Sequence, residues 1–249
     1  MKKSYEQVYH KLEKEYWWFV GRRKTIITLL KDISLDSKIL EVGCSSGVLL
    51  SELRKSGFTP ENLYGIDISI DAVEAVKKIV HCNSIVMDAQ HLEFPDESFD
   101  IIIASDCLEH LENDENALNN WYNVLKKGGQ LLVFVPAFKF LWSYHDEINK
   151  HFRRYTNKEL QVKLQNAGFN LIQTGYWNFS LFFPTLMIRL INNIAFRIFK
   201  LKRHSKSGDL KNLNPFINKL LIKLLHTETA LLRYIRFPLG VSTFCVAKK

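Results

Sequence analysis

The stretch KILEVGCSSGVLLSEL at residues 38–53 constrains the fold of this chain more than any other segment. Its first apolar residues, Ile39, Leu40 and Val42, form a short run that ends at Gly43, as a buried parallel strand does. Leucines then recur at helical spacing. Between the two patterns, Gly43 and Gly47 allow a tight turn whose backbone N–H groups can approach a ligand closely. The stretch therefore predicts a strand, a ligand-binding turn and a helix.

The alternation of strand and helix patterns continues to about residue 135. Short runs of apolar and β-branched residues predict strands at 38–42, 63–67, 84–87, 99–104 and 130–135. Strands that alternate with helices in this way are typical of a doubly wound α/β fold. We therefore expect five parallel strands that are joined by crossover helices.

Two of the predicted crossover helices have clear sequence patterns. SIDAVEAVKKIV places Ser69 and Asp71 at a helix start, and its predicted apolar face is formed by Ile70, Val73, Val76 and Ile79. DENALNNWYNVLKKGG repeats the pattern, and its basic pair before a glycine predicts a helix end at Lys126, Lys127 and Gly128.

The regular alternation of strand and helix patterns ends after the fifth strand. TNKELQVKLQNAGFNLIQTGYW predicts a capped helix and a strand at 170–176, and GVSTFCVAKK predicts a last strand at the end of the sequence. Residues 178–239 lie between these two strands and are too many for a hairpin turn and too apolar for a linker. We predict that they form an insertion with a function of its own.

Composition restricts the function only broadly. The net charge of +8 permits anionic partners such as nucleic acid, a phospholipid surface or a phosphorylated substrate. The four cysteines are far apart and have no CxxC spacing, which predicts neither disulfides nor a zinc site and favours a reduced, cytoplasmic setting. The N-terminal segment is charged and lacks the apolar stretch of a secretory signal, so we expect no export.

Two aspartates indicate which ligand the glycine turn binds. Asp67 ends the second strand about twenty residues beyond the turn, where this kind of fold hydrogen-bonds a ribose hydroxyl. A nicotinamide enzyme fits that feature equally well. Asp88 and Ala89 end the third strand beside the same crevice, where a carboxylate can accept a hydrogen bond from an adenine amino group. The third glycine of the dinucleotide fingerprint is missing, because Val48 follows Gly47.

At these residues the sequence resembles the class I S-adenosylmethionine-dependent methyltransferases, and among them the type 11 and type 23 methyltransferase domains. The motifs are ILEVGCSSGVLL, YGIDIS, VMDAQHLEFPDESFDIIIASDCLEHL and LKKGGQLLVFVP, followed by FRRYTNKELQVKLQNAGF. Ser45 departs from the family pattern, which usually has a glycine there. The resemblance implies a Rossmann-like, mostly parallel seven-stranded sheet with an antiparallel last strand and a helical insertion between strands six and seven. The implied core is residues 38–177 and 240–249.

The resemblance also implies which residues bind S-adenosylmethionine. The methionine part would lie against Glu41, Gly43, Cys44 and Gly47. The ribose and adenine would lie against Asp67, Ile68, Asp88 and Ala89, and Ser105 would lie near the sulfonium. Taken singly, Asp67 and Asp88 could instead be helix caps, and Glu41 could instead pair with a lysine. EYWWFVGRRKTI within residues 1–37 resembles a helix that caps the cofactor, with Arg22 or Arg23 near its carboxylate.

Methyl transfer to an alcohol or amine needs alignment of the acceptor and removal of a proton. After strand four the candidates are Asp106, Glu109 and His110, and after strand five they are His145, Asp146 and His151. His145 with Asp146 is the predicted general base with its orienting acid, and an ordinary loop histidine is the alternative. Glu109 and His110 on one turn are weak evidence for a metal, and we predict no metal site.

HFRRYT is the predicted acceptor-binding motif. It places His151, Arg153, Arg154 and Tyr155 on the ligand-binding side of the sheet, where two guanidinium groups suit a phosphate or a carboxylate. The alternative is that one arginine pairs with a nearby acidic residue, Asp146 or Glu147.

The insertion indicates a lipid-like acceptor. Its two apolar segments carry Arg189, Arg197, Lys200, Lys202 and Arg203, and the polar residues interrupt the first segment short of the ~20 apolar residues of a membrane span. A basic amphipathic surface on an anionic membrane, a lid over the substrate and a contact in a homodimer all fit.

The sequence therefore predicts a cytoplasmic, peripherally membrane-bound methyltransferase that acts on an oxygen of a lipid- or glycan-type small molecule. Strand four lacks the Pro-Pro pattern of enzymes that methylate base amines, which disfavours nucleic acid. RNA methylation, an NAD-dependent oxidoreductase and a membrane-associated binding protein that has lost its cofactor pocket are the alternatives.

Overall fold

The computed structural model describes residues 10, 12–30, 33–199 and 213–249. The strands in this part of the chain are β1 (Ile39–Val42), β2 (Leu63–Asp67), β3 (Asn83–Val86), β4 (Phe99–Ser105), β5 (Leu125–Pro136), β6 (Asn170–Trp177) and β7 (Ser242–Lys248). The helices are α1 (Trp17–Leu29), α2 (Val48–Lys55), α3 (Ile70–Ile79), α4 (Asp114–Val124), α5 (Tyr144–Asn149), α6 (Asn157–Asn166), α7 (Phe182–Phe199) and α8 (Pro215–Leu231).

The seven strands form one sheet in the order β3-β2-β1-β4-β5-β7-β6. β1 to β5 are parallel, and β7 lies antiparallel between β5 and β6. This arrangement confirms the predicted doubly wound fold with its antiparallel last strand. The order reverses at β1 and β4, so the carboxyl ends of these strands border the crevice where such folds bind ligands.

The central strands of the sheet are buried on both faces, and their alternate residues point into different cores. Leu40 and Ile102 contribute to one apolar core together with Trp121 of α4. Their chain neighbours Ile39 and Ile101 contribute to a second core on the other face. Burial on both faces explains why these strands have continuous apolar runs in the sequence.

The predicted end of α4 is wrong. The helix stops at Val124, and Lys126, Lys127 and Gly128 belong to β5, which is six residues longer than predicted in total. Long-range contacts decide this: Leu125 pairs with Phe99 of β4, and Lys126 Nζ lies 2.9 Å from Asp100 Oδ1. A local pattern of lysines before a glycine cannot report such pairing.

The apolar face predicted for α3 is partly wrong, although its cap is confirmed. The Ser69 side chain accepts a hydrogen bond from the Ala72 N–H. Val73 and Val76 are buried as predicted, whereas Ile70 and Ile79 are exposed and Ala72 is buried in their place. The helix is therefore rotated by a small angle from the orientation that large apolar residues alone would give.

Helices α7 and α8 lie between β6 and β7 in the chain, as predicted for the insertion. α8 packs closely on α1, because Gly21 leaves room for Leu225 and the hydroxyls of Thr25 and Thr229 are 2.7 Å apart. The buried Glu228 of α8 accepts hydrogen bonds from backbone N–H groups of the loop before α7. No helix among the described residues is both long and apolar enough to span a membrane.

Candidate functional site

A cavity of about 940 Å³ opens at the carboxyl ends of β1, β2 and β4. Gly43, Asp67 and Ser105 follow or end these three strands and form one wall. The loops after β4 and β5, together with α1 and α7, form the rest. Pockets of roughly 300–1,000 Å³ hold small molecules in proteins, so this cavity is large enough for a cofactor and an acceptor side by side.

The turn after β1 has the backbone shape that the sequence predicts. Gly43 and Gly47 both have positive φ angles, of 73° and 75°. Ser45, which replaces the usual glycine, adopts a φ of 47°, and its N–H lies 3.0 Å from Asp67 Oδ2. This hydrogen bond helps to hold a non-glycine residue in the left-handed region, which costs about 1–2 kcal/mol.

Asp67 and Asp88 line the cavity at the predicted positions. Asp67 accepts hydrogen bonds from the N–H groups of Ser45 and Ser69, and Asp88 accepts one from Gln90. A carboxylate can accept about four hydrogen bonds. Asp88 therefore retains acceptor positions for a ligand, and Asp67 presents its carboxylate at the cavity wall. Ile68 and Ala89 follow them and also line the cavity.

Glu41 and Ser105 add buried polar atoms to the same wall. Glu41 Oε2 and Ser105 Oγ are inaccessible to solvent and have no hydrogen-bond partner within the described part of the chain. Burial raises the pKa of Glu41 well above its usual value, and the charge of Glu13 adds to this rise. Buried polar groups are rarely left unpaired in folded proteins. A polar ligand in the cavity would supply the missing partners.

Two residues predicted to bind the cofactor lie behind the turn. Cys44 is buried against Gly65 of β2, where an added Cβ would be 2.9 Å from its Sγ. Gly47 faces α3, and an added Cβ would be 2.7 Å from Val76 Cγ2. Neither residue lines the cavity, so both support the turn by packing against the protein interior.

Arg22 and Arg23 of α1 have different partners. Arg22 lines the cavity, forms an ion pair with Asp106 and lies over the Phe19 ring at 5.6 Å. Arg23 Nε lies 2.7 Å from Glu52 Oε1, and its other nitrogens donate to backbone carbonyls. Arg22 is therefore the better placed of the two for a cofactor carboxylate.

Asp146 pairs with His151, and this differs from the predicted partnership with His145. Asp146 is fully buried, and its Oδ1 lies 2.9 Å from His151 Nδ1. Its carboxylate also accepts bonds from Arg154 at 2.7 and 3.1 Å. Burial alone would raise the pKa of Asp146, but the bonds to His151 and Arg154 lower it well below its usual range. The alternative in which an arginine of HFRRYT pairs with Asp146 is the one observed.

Arg153 and Tyr155 lie away from the cavity, against the prediction that they bind the acceptor. Arg153 Nη1 is 2.8 Å from Asp114 Oδ1, and the Tyr155 hydroxyl donates to Asp114 Oδ2 at 2.9 Å. Both side chains face α4 because Asp114 begins that helix beneath the loop. His151 and Arg154 alone of the four predicted residues line the cavity.

The structure brings residues to the site that the sequence did not single out for it. Thr185, Ile188 and Asn192 of α7 close the side opposite the glycine turn, and the buried Arg189 donates to the Leu141 carbonyl. Their spacing of three or four residues marks one helix face, but the sequence does not say what that face covers.

Three groups in this region could hold a metal ion, although the sequence predicted none. One ligand atom from each of Glu109, His110 and His151 lies within 4.8 Å of the other two. His145 lies beside them, with its ring centre 6.2 Å from that of His151. The cavity thus has an aspartate-lined end near the glycine turn, here called the cofactor end, and a histidine-lined end near α5 and α7, here called the acceptor end.

A family model described as a methyltransferase domain matches residues 17–174, which is more than half of the chain. The match includes β1 to β5 and most of β6, and it stops before α7.

Named relatives agree with that match. The chain is 28% identical over 140 residues to aklanonic acid methyltransferase DauC of Streptomyces sp. strain C5, covering 53% of this chain and 61% of the relative. It is 30% identical over 174 residues to the ubiquinone/menaquinone biosynthesis C-methyltransferase UbiE of Vibrio parahaemolyticus, covering 57% and 66%. It thus spans less than two thirds of the length of these curated relatives.

Among solved structures, a chain of the Haloferax volcanii complex between the Trm112 methyltransferase activator and a methyltransferase has a TM-score of 0.62 at 15% identity. The superposition covers 98% of this chain and 94% of that chain. This likeness extends through the helices between β6 and β7.

Proposed function

This chain belongs to the class I S-adenosylmethionine-dependent methyltransferases, and we propose that it methylates an oxygen of a small amphiphilic acceptor of the lipid or glycan type. Family membership decides against the nicotinamide-dependent alternative. The observation that carries the proposal is the cavity, which joins the cofactor end to a second compartment that the amphipathic helix α7 closes.

The residues present fit S-adenosylmethionine. Asp67 lies at the wall where ribose hydroxyls would bind, and Asp88 retains acceptor positions for an adenine amino group. Glu41 and Ser105 have unpaired buried oxygens in the same wall. Arg22 can face the carboxylate of the methionine part. When bound, the cofactor supplies an electrophilic methyl group, and the protein has to hold the acceptor in line with it.

The acceptor class follows from the walls of the acceptor end. Ile188 of α7 and Trp17 and Phe19 of α1 give the cavity apolar surface, whereas His145 and His151 at the acceptor end add polar groups. Such a mixed lining suits a molecule with a ring or chain and one or two hydroxyls. The names of the relatives point to ring-containing acceptors such as ubiquinone and menaquinone precursors and aklanonic acid, and this supports a lipid-like acceptor.

Oxygen is the proposed acceptor atom because the acceptor end holds several imidazoles. A hydroxyl must lose its proton as it attacks, and a neutral histidine is the usual proton acceptor near pH 7. Burial lowers the pKa of His110 to about 3, so this ring is neutral. In place of the predicted His145–Asp146 pair, we propose that His145 accepts the proton and that Asp146 orients His151.

Transfer of a labelled methyl group tests the proposal. The purified protein is incubated with methyl-labelled S-adenosylmethionine and, separately, a bacterial lipid extract, RNA and protein. We expect label in the lipid fraction, in a product whose methyl group behaves as an ether or ester in mass spectrometry. Asp96→Asn, an exposed change, serves as the matched control for Asp67→Asn, which should lower incorporation. Label confined to RNA would establish the RNA alternative, and label on carbon would refute oxygen as acceptor.

We also propose that α7 and α8 attach the enzyme to anionic membranes. Phe183, Met187, Ile191 and Ile194 of α7 are all more than half exposed. A basic amphipathic helix with such a face binds anionic lipid through apolar burial and charge. The predicted basic residues Lys200, Lys202 and Arg203 lie outside the described residues, as does the side chain of Arg197. Each basic residue contributes about 1 kcal/mol near an anionic surface.

Co-sedimentation with vesicles tests this attachment. We expect binding to phosphatidylglycerol vesicles at low salt, weaker binding at high salt, and little binding to phosphatidylcholine. Changing the four exposed apolar residues to Gln should remove binding, and so should the Gln variant of the four basic residues. The control changes exposed apolar residues elsewhere, at Leu35, Val86, Val162 and Ile172. No binding by the parent, together with a dimer in sedimentation velocity, would make these helices a homodimer contact.

A further inference from the structure

We propose that Glu109, His110 and His151 bind one divalent transition-metal ion at the acceptor end. The inference rests on the proposed function for its role, since the ion would hold the acceptor oxygen. The ion-binding part of the proposal can be tested without methyl transfer.

The first argument is geometric. Donor atoms of the three side chains already lie within 4.8 Å of one another, and the His110 and His151 rings meet edge to face with centres 4.5 Å apart. Ligands at about 2.0–2.2 Å from a tetrahedral zinc ion are about 3.4 Å apart. Side-chain rotations that move each donor atom by about 1 Å would therefore bring the three donors around one ion.

The second argument is the unpaired carboxylate. Glu109 is fully buried, lines the cavity and accepts no hydrogen bond from another described residue at either oxygen. Arg22 and Arg154, whose charges act on Glu109, are each paired with a different carboxylate. A buried carboxylate without a partner is costly. A bound cation would give it both a ligand bond and a compensating charge.

The third argument is the support behind His151. Its Nδ1 lies 2.9 Å from an oxygen of the buried Asp146, which leaves Nε2 as its ligand atom. Histidines that bind metals usually donate their second N–H to a carboxylate or a carbonyl. His151 therefore has the outer partner of a metal ligand.

The fourth argument is that the fold assembles the three groups before any ion arrives. Glu109 and His110 lie in the short turn Leu108–His110 after β4, and His151 lies in the loop after α5. The Phe152 N–H donates to the Glu109 carbonyl at 2.8 Å, which ties the two segments together. The ligands therefore do not depend on a flexible side chain reaching across the cavity.

Two imidazoles and one carboxylate suit Zn²⁺, Fe²⁺, Co²⁺ or Mn²⁺ and leave coordination positions open. An acceptor hydroxyl in an open position would lose its proton more readily, because a divalent ion stabilises the oxyanion. His145, next to the site, would accept that proton. The ion thus explains why the acceptor end gathers histidines around a buried carboxylate.

Titration of the chelator-treated protein with Co²⁺ tests binding directly. We expect one Co²⁺ per chain with visible absorption bands of a four- or five-coordinate ion, and Zn²⁺ should displace it. Glu109→Gln, His110→Gln and His151→Gln should each weaken binding by more than about 100-fold, since loss of an outer partner alone costs about 10–100-fold. The control is His91→Gln, because His91 is exposed and is not part of the cluster.

The outcomes separate the two proposals. Absence of Co²⁺ binding, or equal binding by all variants, overturns the metal site. Circular dichroism and S-adenosylhomocysteine calorimetry show whether each variant is folded. If a variant is not folded, the parent is loaded with Cu²⁺, and its electron spin echo spectrum should show nitrogen couplings from two imidazoles. A spectrum without imidazole couplings overturns the site.

A chromophoric phenol tests the role of the ion. 4-Nitrocatechol should shift its visible absorption with the metal-loaded parent and not with the metal-free parent or with Glu109→Gln. A metal-loaded protein that leaves the spectrum unchanged refutes the acceptor role, while label incorporation tests the methyltransferase proposal separately.

Discussion

The two ends of the cavity hold their carboxylates in different ways. At the cofactor end, Asp67 and Asp88 accept hydrogen bonds from backbone N–H groups of the turns that surround them. At the acceptor end, Asp146 depends on the side chains of His151 and Arg154, and Glu109 has no partner among the described residues. A backbone N–H donor is kept by most substitutions and does not change its protonation near neutral pH, whereas a side-chain partner can be removed or titrated. The acceptor end should therefore be far more sensitive to substitution and pH.

The largest expected effect is that of Asp146→Asn. Removing this charge breaks the buried ion pair with Arg154, and breaking a buried ion pair from one side costs about 3–5 kcal/mol. Urea denaturation should show this loss in the free energy of unfolding. The exposed Asp96→Asn should stay within about 0.5 kcal/mol of the parent. A loss below about 1 kcal/mol for Asp146→Asn would show that the ionic network does not support the acceptor end.

Gly47→Ala tests whether the cofactor end depends on backbone shape. A non-glycine residue at positive φ costs about 1–2 kcal/mol, and overlap with Val76 adds about 1–3 kcal/mol. Gly128→Ala is a matched control, because Gly128 has a φ of 80°, similar to that of Gly47. A Cβ added at Gly128 would lie 3.5 Å from its nearest neighbour, Lys248 Cε, which is an ordinary contact. We expect urea denaturation to show a larger loss for Gly47→Ala. Equal losses would mean that packing behind the turn contributes nothing.

Asp67→Asn should reduce ligand affinity while leaving stability nearly unchanged. A hydrogen bond to a charged group contributes about 1.5–3 kcal/mol, which corresponds to roughly 10–100-fold weaker binding of S-adenosylhomocysteine. Calorimetry measures the change, and Asp96→Asn should bind as the parent does. If Asp67→Asn binds S-adenosylhomocysteine as tightly as the parent does, Asp67 does not bind the ribose. The main functional role given to the cofactor end would then be wrong.

The last expected effect is a change of stability with pH that comes from Glu109. Burial raises its pKa to about 8, whereas the unfolded chain has a value near about 4.3. The folded state therefore keeps a proton that the unfolded state releases. The stability that Glu109 contributes is fully present below about pH 4 and is lost as the pH rises to about 8.

Glu109→Gln removes this titration, so its stability relative to the parent should improve with pH by up to about 1.4 kcal/mol per unit. Urea denaturation from pH 5 to 8 with a chelator measures the difference, and His91→Gln is the control. An identical slope in the parent and the variant would contradict the raised pKa. Addition of Zn²⁺ should reduce the slope in the parent alone, because the ion favours the ionised carboxylate.

The sequence predicted the cofactor end well because its signals are local. A strand, a glycine turn and a helix follow one another within residues 38–53, and Asp67 and Asp88 come directly after strands with clear apolar runs. In a doubly wound sheet, residues at such positions meet at one edge whatever the rest of the chain does. The exceptions are Cys44 and Gly47, because a turn does not reveal which of its residues face outward.

The acceptor end was predicted less well because its contacts join distant segments. The motif HFRRYT suggested four acceptor-binding residues, yet Arg153 and Tyr155 contact Asp114, which is about forty residues away in the chain. His145 is next to Asp146 in the chain, but helical geometry separates neighbours. The carboxylate reaches His151 instead.

The sequence by itself determined the order of strands and helices, the turn geometry and the acidic ends of β2 and β3, because each depends on periodicity or on residues that follow one another. Only the tertiary structure decided that Lys126 continues a strand, that α7 closes the cavity, and that Glu109, His110 and His151 meet. These outcomes depend on which segments the sheet brings side by side, and burial then gives a carboxylate or an imidazole properties that its neighbours in the chain do not reveal.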